Sequence, residues 1–255
     1  MIWKNARRRL DVAVICLALA LAWQIASWKL GTDVLPGPWH TLRQLAALIG
    51  QPRFRSDIAA TANAYGISLI IAMAGGLTLG LICGGWKAVG DEIEPPILAL
   101  IATPKVMLYP IILLFFGLGD AAKIFFGLLH GLPPVVIIMA NALRTLRPVY
   151  RKVSQTMRLS RRAYARHVLI PAVMPEAVAS FRICFALTLL GVLIGEMFAS
   201  TRGLGHLLFA SIGTNDQLTI MAVTLLLFVF AGLGSSLLLG VRQSFKNSTA
   251  SGKGA

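Results

Sequence analysis

Long apolar stretches separated by short polar or proline-containing breaks run through this chain, and their lengths set the first expectation. A helix rises about 1.5 Å per residue, so roughly 20 apolar residues cross a hydrocarbon layer about 30 Å thick. Six stretches qualify: Asp11–Trp28, Ile58–Trp86, Ile97–Phe116, Ala121–Leu143, Glu176–Ala199 and Leu218–Val241. The pattern predicts an all-α membrane protein with six transmembrane helices. A shorter periodic segment, Trp39–Ile49, places Leu42, Leu45, Leu48 and Ile49 on one side and is expected to lie on the membrane surface.

Prolines and glycines refine these elements. Leu35-Pro36-Gly37-Pro38 stops the first helix before the surface segment. Gly66, Gly75, Gly76, Gly80, Gly84 and Gly85 mark the second span as a packed interior helix, because small residues let helices approach closely in lipid. Lys87, Asp91, Glu92 and Glu94 form a polar turn leading into Pro95-Pro96. Pro104 and Pro110 should kink the third span, and Pro133-Pro134 should break the fourth.

Composition excludes a water-soluble globule: of 255 residues, 56% are hydrophobic and only 13% are charged. The 24 Lys and Arg against 10 Asp and Glu would suggest nucleic acid in a soluble protein. In a membrane protein the same excess sorts loops by side, so no nucleic-acid partner is expected. Lys4, Arg7–Arg9, Lys87, the basic residues of Arg144–Arg166, Arg242, Lys246 and Lys253 fall on one side; Lys29, Arg43, Arg53, Arg55, Lys123 and Arg202 fall on the other. Both termini are therefore expected in the cytoplasm: residues 1–10, then one transmembrane domain over 11–241 with its core at 57–241, then a tail over 242–255. Asp11–Trp28 reads as a retained helix, being long for a signal core and lacking a small-x-small cleavage site. Cys16, Cys83 and Cys184 lie in apolar stretches without metal-ligand spacing, and no metal site is expected.

Arg144–Pro175 is too long to be a bare connection. Val149, Val153 and Met157 share one helical face after Pro148, and Ser160 stands as the N-cap of a second helix through Tyr164, Val168 and Leu169, stopped by Pro171. Two short helices parallel to the membrane would either rest on anionic headgroups or dock a soluble partner. The segment resembles the coupling motif of type I binding-protein-dependent ABC importer permeases, whose pattern is Glu-Ala-Ala, three residues, Gly, nine residues, an aliphatic, any residue, then Leu-Pro. Lys152-Val153-Ser154, Arg158, Val168 and Ile170-Pro171 keep that spacing without a gap.

The likeness extends to the nitrate, sulfonate and taurine branch of that family. It runs through Leu35-Pro36-Gly37-Pro38, Thr103-Pro104-Lys105, Pro110, Phe116-Gly117-Leu118-Gly119, Pro134, Arg144, Pro148, Thr156, Ser160-Arg161, Pro171–Pro175, Phe181-Arg182-Ile183, Gly195-Glu196 and Gly203-Leu204-Gly205. The resemblance implies a type I ABC importer transmembrane domain in a bacterial inner membrane, assembled as a homodimer or heterodimer with two cytoplasmic ATPases and an external solute-binding protein. It also implies that Lys152, Ser154, Arg158, Ser160, Arg161, Ile170 and Pro171 couple to the ATPase. Lys152 and Arg158 replace the motif's Glu and Gly and add positive charge. A matched ATPase with acidic groove residues is the expectation, a weakly coupled paralogue the alternative.

Ionisable residues within spans are functional candidates, since each costs at least about 2.5 kcal/mol to insert. Lys105, between Pro104 and Pro110, is a candidate for attracting an anionic solute, or a cation that snorkels. Arg182 and Glu196 lie about 21 Å of rise apart on the fifth span, so they share a face without pairing and should bridge to other elements. His130, in mid-span, is a candidate for binding a solute or carrying a proton, or a hydrogen-bonded packing residue, the reading favoured because no second titratable group flanks it; Gly203, Gly205 and Gly213 belong to turn-rich material suited to a gate. A secondary transporter would show an internal repeat, and a membrane enzyme a Ser/His site or HExxH; neither is present. With no Gly-x-x-x-x-Gly-Lys-Ser/Thr, the chain is expected to be a transport subunit without enzymatic activity or a cofactor of its own, with ATP-Mg on its partner ATPase.

Overall fold

The computed structural model describes residues 2–146, 156 and 160–251. Within them the chain is helical, and no strand is found among the described residues. The helices are α1 (Ile2–Leu30), α2 (Pro38–Ile49), α3 (Pro52–Gly85), α4 (Lys87–Ala102), a 3-10 turn (Lys105–Leu108), α5 (Tyr109–Phe116) and α6 (Asp120–Arg144). Then α7 opens with Arg161–Tyr164, passes through a π-helical stretch Ala165–Leu169 and continues as Ile170–Ala199, followed by α8 (Leu204–Gly213) and α9 (Gln217–Ser251). Among the described residues, four helices are long and apolar enough to cross a membrane: α3, α6, Arg162–Ala199 of α7 and Gln217–Leu238 of α9. A fifth is reached if α4 and Lys105–Phe116, which meet at 99°, are one broken span. In α1 the described apolar helical stretch is Val14–Leu30, against the six full spans expected.

Three helices form the core, and small residues decide how they meet. On α3, Ala72, Gly76, Gly80 and Gly84 recur every four residues and so line one stripe. A Cβ on Gly80 would lie 2.6 Å from Met139 Cβ and 2.8 Å from Val136 O, and one on Gly84 would lie 2.7 Å from Ala140 O. The α6 backbone therefore rests directly on this stripe. Helix α6 meets α7 in the same way: a Cβ on Gly127 would crowd both Ser68 of α3 and Val192 of α7, and one on Gly195 would lie 2.7 Å from Lys123 Cα. Ala72, Val135, Met139 and Cys184 are fully buried where the three helices join. Gly66 and Gly85, also expected at packing seams, meet nothing or only ordinary contact.

Several expected breaks are displaced. The polar turn expected over Lys87–Glu94 lies inside α4; the chain turns instead at Trp86, whose φ of −118° and ψ of 103° are extended. Pro95 and Pro96 sit within α4, and the Asp91 and Glu92 carbonyls they leave without donors belong to residues at or near the exposed side of the helix. The third span is not a kinked helix. Pro104 precedes the 3-10 turn and Pro110 opens α5, so both prolines stand at helix starts, where a missing N–H costs nothing.

Conversely, α6 is unbroken through Pro133 and Pro134. Packing on both flanks holds it, with Gly131 close against Thr188 and Cys184 of α7, and Leu132 and Val135 against Gly75 and Gly76 of α3. Pro171 does not stop a helix either. The preceding π stretch, in which the Ile170 N–H donates to Ala165 O five residues back, widens the turn where the proline ring would strike the carbonyl four residues earlier. Helix α2 lies partly inside rather than wholly on a surface: Leu45 and Leu48 pack in a cluster with Phe54, Ala222 and Val223, while Leu42 and Ile49 stay exposed.

Gly80→Val should cost about 1–3 kcal/mol through overpacking of the α3–α6 seam, lowering the thermal unfolding midpoint in detergent. Gly66→Ala, whose Cβ would meet nothing within 4 Å, should leave it unchanged.

Candidate functional site

The C-terminal end of α7 carries the most elaborate polar arrangement among the described residues. Glu196 is completely buried. The Thr61 hydroxyl lies 2.9 Å and 2.8 Å from its two carboxylate oxygens, and the Gly205 N–H donates to Oε2 at 2.9 Å. Lys123 Nζ, itself fully buried, lies 3.6 Å from Glu196 Oε1 and 2.9 Å from Asp120 Oδ1. The donors come from α3, α6 and the start of α8, so one carboxylate on α7 gathers three other helices.

The start of α8 shows why the acceptors stand where they do. A helix leaves its first amides without intrahelical partners. Here three successive ones are met by side chains of other elements: Gly203 N–H donates to Asp57 Oδ1 at 2.8 Å, Leu204 N–H to Thr61 Oγ1 at 2.8 Å, and Gly205 N–H to Glu196. Asp57 and Thr61 are one turn apart on α3 and share a face. Gly203 holds φ at +118°, and a Cβ there would overlap the Glu196 carboxylate. A Cβ on Gly205 would lie 2.8 Å from Glu196 Cβ. At the rim, Asp120 also meets Arg202 at 3.5 Å, both groups being about half exposed.

The turn after α5 completes the anchorage. Gly119 N–H donates to Ala199 O at 2.8 Å, and the Tyr109 hydroxyl donates to Phe198 O. The carbonyls at the end of α7 are thereby taken up by the bent segment. Breaking a buried pair by removing one partner costs about 3–5 kcal/mol, because a charge is left without compensation.

Of the candidates expected along a pathway or gate, Glu196, Gly203 and Gly205 come together here. The others do not join them. Lys105 lies at the break after α4 and donates to Ile101 O at 3.4 Å. His130 is buried, with Nδ1 2.9 Å from Phe126 O. Arg182 is exposed and donates through Nε to Ser235 Oγ of α9 at 3.4 Å, so it bridges to a neighbouring helix. Arg182 and Glu196 do not pair; one bridges to α9 and the other to α3, α6 and α8.

Among the coupling candidates, Ser160 caps α7: its hydroxyl accepts the Ala163 N–H at 3.2 Å. Arg161 begins the helix, Ile170 is exposed, and Pro171 sits in the first turn after the π stretch. Lys152, Ser154 and Arg158, with most of the first predicted coupling helix, lie outside the described residues. Two features escape sequence reasoning. The charge pattern places Lys123 among the loop cations, although Asp120 three positions before it is a visible ion-pair signal. Arg144 binds Glu94 at 2.8 Å and donates to Cys83 O at 3.2 Å, joining the ends of α3, α4 and α6; a Cβ on Gly90 would block it.

Residues 76–246 match the family described as the binding-protein-dependent transport system inner membrane component, and the chain belongs to that family. It is a multi-pass inner-membrane permease of the ABC importer class. It is 27% identical to the nitrate import permease protein NrtB of Synechococcus elongatus over 237 residues, covering 88% of this chain and 84% of the relative. The taurine transport system permease protein TauC of Escherichia coli is 24% identical over 212 residues, 80% of this chain and 77% of that one. The formylaminopyrimidine transport permease protein ThiX of Halalkalibacterium halodurans is 24% identical over 204 residues, 80% and 81%.

Gly203→Ala should cost at least about 1–3 kcal/mol from its backbone conformation alone, seen as a lower unfolding midpoint in detergent. Gly213→Ala, with open space around its Cβ, is the matched control and should be neutral.

Proposed function

We propose that this chain moves a small anionic solute inward by alternating access, driven by ATP-Mg hydrolysed on a separate cytoplasmic ATPase pair. In this reading α1 is the first of six spans, both termini face the cytoplasm, and residues 144–175 form the coupling segment. A second copy completes the permease pair, and an external binding protein delivers the solute. The observation that carries the reading is the continuity of α7. A helix capped at Ser160, in the segment matching the coupling motif, runs to Ala199 without a break and ends at Glu196 and the α8 turn. At 1.5 Å per residue this lever is roughly 55–60 Å long, enough to carry a displacement at the ATPase surface to the other side of the bilayer. ATP-driven closure then biases a two-state switch between inward- and outward-facing forms.

Nitrate and taurine, in the names of two relatives, both carry an anionic group, which suits Lys105 as a pathway cation. Its position at the broken α4–α5 segment supports this, because non-helical backbone at membrane depth is tolerated where it lines a cavity or is covered by protein. Lys152 and Arg158 call for an ATPase groove richer in acidic residues than the usual motif requires.

Affinity capture of this chain should bring down an ATPase; recovery of the chain alone would favour a stand-alone transporter. Lys152→Glu should weaken that association and an acidic-to-basic change in the ATPase groove should restore it; strengthening by Lys152→Glu would sink the charge argument. Ser160→Ala removes a cap worth about 1 kcal/mol and should lower ATPase affinity roughly fivefold. Lys105→Met should raise the transport KM for an anionic solute about tenfold or more, as expected for loss of a charged hydrogen bond of about 1.5–3 kcal/mol.

A further inference from the structure

We infer that Glu196, Lys123 and Thr61 are positioning residues of the external gate. They latch residues 200–205 and the start of α8 to the α3–α6–α7 core, so that movement of α7 reaches the external loop undiminished. The inference rests on the permease reading above and deepens it.

Each contact of the cluster crosses between elements. Thr61 is the hinge pin: its hydroxyl hydrogen goes to Glu196 while its oxygen accepts the Leu204 amide, so α3, α7 and α8 meet on one atom. Lys123 adds α6, and passes the connection outward through Asp120 to Arg202 of the loop itself. Asp57 takes the remaining amide, of Gly203. Side chains on both sides of Glu196 along the same helix, Val192 and Ala199, are apolar and fully buried. Simple burial was therefore available at this end of α7, and a well-packed apolar replacement of a buried ion pair is often no less stable. What a carboxylate supplies and a methyl group does not is direction: it fixes the α8 amides to one register against α7.

Apolar packing holds part of α8, where Leu204 joins Leu48, Phe54, Ala222 and Val223 in one cluster. Leu204 and Thr61 also border a partly open apolar pocket of about 140 Å³, shared with Tyr65, Leu189 and Phe230. Gly203 and Gly205, lacking side chains, let the turn approach α7 directly, Gly205 against Leu193 O and both within reach of the carboxylate. The polar contacts thus set where residues 200–205 stand relative to α7.

The test uses the full complex of permease, ATPase and binding protein in proteoliposomes, with Leu204→Cys as reporter, since Leu204 is only 4% exposed. Lys123→Met and Glu196→Gln should each lower solute transport at least tenfold and open the thiol introduced at position 204 to a membrane-impermeant reagent. Lys123→Met combined with Glu196→Gln, which leaves no uncompensated charge between the two, should recover transport to within about threefold of the parent and protect the reporter thiol again. Thr61→Val should behave like the single variants and Thr61→Ser like the parent, which keeps the test decisive if a charged variant fails to accumulate. Persistent protection of the reporter thiol in the single variants, or a double variant no better than either single, would overturn the latch. Absence of ATP-driven transport by the parent complex would instead overturn the permease reading.

Discussion

A carboxylate with no exposed surface has to be compensated by every group around it, and Glu196 imposes that demand on the whole bundle. Its donors sit on α3, α6 and α8, so those helices must arrive at one point, in one register, at the end of α7. The approach is close enough that Gly203 and Gly205 have to be side-chain-free around it. The positive φ of Gly203 and the burial of Lys123 go with that constraint, while Asp57 and Thr61 on successive turns of α3 also satisfy the first amides of α8.

The remainder of the core follows a different rule, that of backbone approaching backbone. Apolar side chains gain little by leaving lipid for one another, so helices in a bilayer associate through close packing. The stripe of Ala72, Gly76, Gly80 and Gly84 on α3 and the Gly127 and Gly131 positions of α6 provide it. This packing is strong enough to carry Pro133 and Pro134 inside a continuous α6. It is absent around the 103–108 break, where the residues are largely exposed and the chain turns by 99°. The same residue type therefore breaks one span and not another, according to what lies beside it.

That contrast explains which parts of the site were legible. Glu196, Gly203 and Gly205 could be singled out because an intramembrane carboxylate and a glycine-rich turn are anomalies against an apolar background. Ser160 was legible because an N-cap is a local device, settled by its own hydroxyl and the amide three residues on. Lys123, Thr61 and Asp57 were not, since each looks ordinary in its own segment. A lysine one turn into a helix, a threonine and an aspartate near a helix start are common, and their role appears only when three helices bring them within hydrogen-bond distance.

The chain by itself determined that the molecule is membrane-embedded, because apolar lengths and basic loops depend on solvent and on local order along the sequence, and the resemblance carried by the spacing from Lys152 to Pro171 pointed to a permease. Tertiary structure alone decided which prolines bend the backbone, whether α7 runs unbroken through Pro171, and which cation meets Glu196. Those outcomes depend on neighbours far away in sequence, and the energy of a buried charge or a freed carbonyl is set by the groups around it rather than by the residue that carries it.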